Sequence, residues 1–170
     1  MSRHFRHTIR LLVAGLAAAG LTTAVAVSAG PATASSYGTT PVVVQHPNHH
    51  PKVTNLRVGQ HKSFDRVVID LRGKMSGYNV RFVKHLHYDG TGDPVPLKGK
   101  RFVSVVLHSA SAPNYQGPQL KQYGFPSLRG VAFTGDFEGY VSFGISLTHK
   151  APFRVNELTS PTRLVIDFKH

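Results

Sequence analysis

The chain of 170 residues carries 20 Lys and Arg against 8 Asp and Glu, a formal net charge of +12, and it contains no cysteine. Disulfides, thiolate metal ligands, thiol nucleophiles and lipid attachment through an N-terminal cysteine are excluded, so the fold must stand on a hydrophobic core. A field this positive draws polyanions, although cations scattered singly along a chain also serve solubility.

Arg3, Arg6 and Arg10 precede an uncharged run from Leu11 to Ala34. This is the pattern of a secretory leader. Ala32-Thr33-Ala34 offers small residues for cleavage after Ala34, with Ala29 as the second choice. Leu11 to Ala29 is just long enough for an uncleaved membrane anchor, but its Ala, Gly and Thr content argues for cleavage. Cleavage leaves 17 cations against 8 acids, a formal +9, and no stable membrane anchor. There is no twin-arginine pair, so the general secretory route is expected. Export sets this charge against peptidoglycan carboxylates, teichoic-type polymers and anionic headgroups rather than against nucleic acid.

Residues 35–51 are rich in Ser, Thr, Pro and His, with no acid, Lys or Arg, the composition of a flexible linker. His46, His49 and His50 lie there, where an ordered metal site would lack fixed geometry. Residues 52–170 then suit one domain. Alternation dominates them, and no long stretch repeats its apolar residues with a helical period. The expected fold is all-β, a small antiparallel sandwich of about eight short strands. Those strands are Val53 to Val58, Arg66 to Leu71, Tyr78 to Leu86, Phe102 to His108, Gly130 to Thr134, Tyr140 to Leu147, Phe153 to Leu158 and Arg163 to Phe168.

Two of them are near copies, Phe-Asp-Arg-Val-Val-Ile-Asp-Leu-Arg-Gly at 64–73 and Pro-Thr-Arg-Leu-Val-Ile-Asp-Phe-Lys-His at 161–170. As strands they put Val67, Ile69 and Leu71, and Leu164, Ile166 and Phe168, on core faces. Arg66 and Asp70, and Arg163 and Asp167, remain on the other side. Within one strand the Arg and Asp are roughly 13 Å apart, so a neighbouring strand must neutralise them. Antiparallel pairing with Val68 opposite Val165 joins Arg66 to Asp167 and Asp70 to Arg163, whereas parallel pairing in register sets like charges together. A structural charge ladder is therefore expected.

In Tyr140 to Thr148, Val141, Phe143, Ile145 and Leu147 alternate with small or polar residues, whose face is expected to be solvated or a shallow binding surface. The connection from Ser109 to Arg129 is long for such a domain, and loops of that length are usually functional or disordered. Its Tyr115, Tyr123, Phe125 and Arg129 are the expected ligand-binding residues, flat faces for sugar rings and a donor for carboxylates.

Signals for catalysis are weak. His85, His87 and His108 form the one plausible zinc trio, without an evident carboxylate partner. Asp89-Gly90-Thr91-Gly92-Asp93 begins like a calcium loop, but Lys100 stands where the bidentate acid belongs. Asp136 and Glu138 could pair as glycosidase carboxylates only if that glycine-flanked segment were extended. No catalytic residue, metal or cofactor is expected, and a carboxylate-dependent hydrolase ranks last.

The segments Phe64-Asp65-Arg66-Val67-Val68-Ile69-Asp70, Gly77-Tyr78-Asn79-Val80, Asp89-Gly90-Thr91-Gly92, Gly135-Asp136-Phe137-Glu138-Gly139, Pro152-Phe153-Arg154-Val155 and Pro161-Thr162-Arg163-Leu164-Val165-Ile166-Asp167 share an order. In that order they resemble the AMIN-like domain of exported actinobacterial proteins, from about Val53 onward. The resemblance implies a relative of the AMIN domain, a small β-sandwich found beside cell-wall amidases and secretins that targets its partner to the envelope by binding peptidoglycan. Two departures stand out: no amidase domain accompanies the module, and no lipid-attachment cysteine follows the leader. The expected protein is a secreted, wall-associated, non-catalytic module that binds peptidoglycan or another anionic polymer. The alternative is a module that recruits an envelope protein through a strand edge or the 109–129 loop.

Overall fold

Each alternating stretch expected as a strand contributes one, though not always over its full length. The computed structural model describes residues 36–170, so the expected cleavage site at Ala34 lies outside the described residues. Among these are ten strands and no helix: β1 Val42–Val44, β2 Lys52–Gln60, β3 Phe64–Arg72, β4 Tyr78–Val83, β5 Arg101–His108, β6 Leu120–Gln122, β7 Leu128–Phe137, β8 Tyr140–Leu147, β9 Phe153–Thr159 and β10 Thr162–Lys169. They form two antiparallel sheets, β1-β4-β5-β8-β7-β6 and β2-β3-β10-β9, packed as a sandwich. All eight expected strands are present.

The core lies between the sheets. Val67, Ile69, Leu164, Ile166 and Phe168 meet Val103, Val105, Leu107, Val141, Phe143, Ile145 and Leu147 there, all fully buried. Alternation puts each on the inner face of its strand, and burying such side chains contributes about 1.5–3 kcal/mol apiece.

The twin segments pair as expected, β3 antiparallel to β10 with Val68 opposite Val165, Arg66 opposite Asp167 and Asp70 opposite Arg163. The charge ladder forms only in part. Arg66 donates two hydrogen bonds to Asp167, but Asp70 is held by Arg57 of β2 through Nε and Nη2, both at 2.7 Å. Arg163 turns away, its Nε donating to the Pro161 carbonyl. The reason is that β3 has two neighbours, and Arg57, diagonal to Asp70 on β2, presents a bidentate fork.

Three further expectations need correction. Residues 36–50 do not behave as a linker: Gly38 exchanges two backbone hydrogen bonds with Phe153, and β1 pairs with β4. His46 Nε2 lies 3.0 Å from Glu157, and His49 Nδ1 lies 2.8 Å from the Met75 carbonyl. Strand β4 ends at Val83, before Leu86, because the chain there folds back over the outer face of the six-stranded sheet. In consequence the small face of β8 is not solvated. Ser142, Gly144 and Ser146 are buried under Leu86, Val95 and Leu97, which pack with Ala132 as a second core. A Cβ on Gly144 would stand 2.8 Å from a Leu86 methyl, so smallness here is what admits the covering segment.

Candidate binding surface

Most of the acid in this chain is spent inside it. Asp65, fully buried, accepts the Ser127 and Leu128 N–H groups at 2.7 and 2.9 Å and lies 3.1 Å from His170 Nε2. Asp136 accepts the Ala112 N–H at 2.7 Å, and Glu157 accepts the Tyr78 hydroxyl. With Asp70 and Asp167 these make five of the eight acids, while only Arg57, Arg66 and Arg154 among the arginines and lysines are consumed in ion pairs between described residues. The remaining cations leave the surface strongly positive.

Three of them meet at one end of the six-stranded sheet. Lys98, Gly99, Lys100, Arg129 and Thr148 line an open cleft of about 390 Å³ with no acid in its wall. Arg129 sits at a β-bulge between Leu128 and Gly130, which re-aims its side chain away from the regular pleat. The turn carrying Lys98 and Lys100 is pinned across the end of β8 by Lys100 N–H donating to the Leu147 carbonyl at 2.8 Å. Gly99 makes that approach feasible, since a Cβ there would lie 2.8 Å from Ser146 Cβ and 3.0 Å from the Leu147 oxygen. The Gln122 amide, oriented by its neighbours, donates to the Arg129 carbonyl at 2.8 Å and accepts from Lys98 N–H at 2.9 Å. Thr148 Oγ1 donates to the Pro126 carbonyl at 2.7 Å. Two ammonium groups and a guanidinium around a shared opening suit carboxylate or phosphate oxygens.

Of the four ligand residues expected from the 109–129 loop, Arg129 belongs to this cleft. Tyr123 and Phe125 pack on each other at 5.3 Å and against the core, half-buried, with the Lys121 ammonium 5.5 Å over the Tyr123 ring. Tyr115 is placed differently. Its ring stacks on Phe133 at 4.8 Å and tilts against Phe143 at 5.7 Å, and its hydroxyl donates to the Pro118 carbonyl. Burial pushes its pKa up, with Tyr123 adding to the shift. Lys98 and Lys100 line this cleft without having been expected there, although Lys98-Gly99-Lys100-Arg101, three cations in four residues, is a legible signal.

The catalytic candidates are not gathered. Asp136 is engaged by Ala112, whereas Glu138 occupies a turn at φ 48°, so the two are not an extended pair. The His85 and His87 rings lie 6.5 Å apart, but His108 packs on Tyr140. Among the described residues no three His, Asp or Glu come together as a metal site.

The chain is a two-sheet antiparallel sandwich whose paired twin strands are the two inner strands of the four-stranded sheet, and in the sequence comparison residues 51–170 match the AMIN-like domain family. The chain belongs to that family. No curated protein and no solved structure matches it. In this AMIN-like domain, residues 36–50 precede the matched span, yet they supply an edge strand of its larger sheet.

Proposed function

We propose that this AMIN-like domain is a secreted, non-catalytic module of the cell envelope that holds an anionic wall polymer, peptidoglycan or a teichoic-type chain, in the cleft of Lys98, Lys100 and Arg129. Family membership supports the envelope setting. The observation that carries the polymer reading is the acid-free wall of that cleft on a surface whose acids are largely consumed by internal bonds. Both edges of the larger sheet are three-residue strands, β1 and β6, which offer a partner strand little to pair with. The smaller sheet ends on longer strands, β2 and β9, so recruitment of a protein by strand addition there is the competing outcome of the test.

The test is co-sedimentation of the purified protein with purified wall material over a series of salt concentrations. Binding is expected at low salt and should fall as salt rises. The triple variant Lys98→Ala, Lys100→Ala, Arg129→Ala should bind about tenfold more weakly, from roughly 0.5 kcal/mol per exposed cation. Absence of binding at low salt, or equal binding by the variant, would refute the proposal.

A further inference from the structure

At the opposite end of β8, roughly 25 Å away along the strand, three ring side chains stand in a row. Tyr140 is the register partner of His108 on β5 and of Phe137 on β7, so all three project from the same, outer face of the sheet. The His108 and Tyr140 rings meet edge-on at 5.6 Å. Phe137 and Tyr140 are 59% and 50% exposed, the barest aromatic rings among the large apolar residues described.

Beside the row opens a cleft of about 360 Å³ whose wall includes His50, His108, Ser109, Ser111, Glu138 and Tyr140. Its rim is held in unusual backbone. Ser109 at φ 53° and Glu138 at φ 48° are two of the three non-glycine residues with positive φ among those described. The loops carrying them are tied by Ala110 N–H donating to the Gly139 carbonyl at 2.9 Å. Glu138 has no ion pair or side-chain hydrogen bond among the described residues, in a chain that otherwise commits most of its acids.

We propose that this row and its cleft form a saccharide site, in which Tyr140 stacks on the C–H face of an uncharged, equatorially substituted pyranose while Glu138, Ser109 and Ser111 bond its hydroxyls. An aromatic ring matches a flat C–H face in area and polarity, and a cleft of this size falls in the small-ligand range. Among the described residues the wall holds a carboxylate and no lysine or arginine, so it selects against phosphate and carboxylate groups, nucleic acid included. Membrane insertion is disfavoured because Glu138 sits at the tip between the two exposed rings and would be carried into the bilayer with them. The site does not depend on the cationic cleft.

Calorimetric titration of the purified protein with chitotetraose and with cellotetraose tests this. At least one is expected to bind with a dissociation constant on the order of 0.1–1 mM, equally at low and high salt. Tyr140→Ala should weaken binding about tenfold, Phe137→Ala and Glu138→Gln about threefold, and Tyr140→Phe should retain most of it. The triple variant of Lys98, Lys100 and Arg129 should bind either sugar as the parent does. Tyr140 is half exposed, so these variants should melt as the parent does. The proposal is overturned if neither sugar binds at millimolar concentration, or if Tyr140→Ala leaves affinity unchanged. It is equally overturned if Phe137 and Tyr140 instead govern sedimentation with phosphatidylglycerol vesicles.

Discussion

Arg66 reaches across from β3 to Asp167 on β10 with a two-pronged contact, Nε to Oδ1 at 2.6 Å and Nη2 to Oδ2 at 2.9 Å. Asp167 has no exposed surface and also accepts from Arg154 Nε at 2.9 Å, so one buried carboxylate holds two guanidinium groups. The bond to Asp167 raises the pKa of Arg66, against the opposing effect of burial. Removing the carboxylate strands both cations, and Asp167→Ala is expected to cost about 3–5 kcal/mol in urea denaturation. Arg163→Ala, at the matching position of the ladder, should cost under about 0.5 kcal/mol because its side chain joins no ion pair among the described residues. Equal costs would show that the ladder, and not the Asp167 hub, holds these strands.

Tyr115 and Arg129, both expected as ligand residues, should fail differently. With the Tyr115 ring seated on Phe133 and Phe143, Tyr115→Ala opens a void in the core and should lower stability by about 2–4 kcal/mol. Arg129→Ala should change stability by under about 0.5 kcal/mol and weaken wall binding at low salt. Thermal melts beside co-sedimentation separate the two outcomes.

What could be read from the chain was set by how local the signal is. Strands with period-two alternation were legible, and the twin segments even disclosed their register, because only one antiparallel alignment joins opposite charges. Partner choice beyond that was hidden: Asp70 goes to Arg57 because β2 also flanks β3, a fact of sheet order and not of the repeat. Val42–Val44 is too short to show a period, so an edge strand passed for linker. Leu86, Val95 and Leu97 carry no shared periodicity that would announce them as a cover for β8. The cationic cleft joins Lys98 and Lys100 to Arg129 from distant parts of the chain, while an aromatic in a polar loop, such as Tyr115, looks the same in sequence whether it faces inward or outward.

Alkaline titration should report the buried phenols. Burial raises the pKa of Tyr78, and the charge of Glu157, whose Oε1 accepts its hydroxyl at 3.0 Å, raises it further. Tyr115 is raised chiefly by burial. A raised value means that the folded state holds the proton more tightly than the unfolded state. The stabilisation is then complete below the ordinary tyrosine value of 10.0 and is lost as pH rises above it. Unfolding midpoints should therefore decline above about pH 10, with tyrosinate absorbance showing phenols that ionise only on unfolding. Tyr78→Phe should flatten part of this decline while costing about 1–2 kcal/mol at neutral pH for the lost hydrogen bond.

Two glycines in the segment that covers β8 give a final discrimination. A Cβ at Gly99 would press on Ser146 Cβ and on the Leu147 carbonyl that receives the Lys100 N–H, so neither neighbour can yield without moving backbone. Gly90 has no atom within 4 Å of the same construction. Gly99→Ala should thus lift the Lys98–Lys100 turn from the end of β8, cost about 1–3 kcal/mol in thermal melts and weaken low-salt wall binding by separating Lys98 and Lys100 from Arg129. Gly90→Ala should leave both measurements as they were. If Gly99→Ala loses stability but binds wall material as the parent does, the cations act through their summed charge, and the geometry of the cleft is not what holds the polymer.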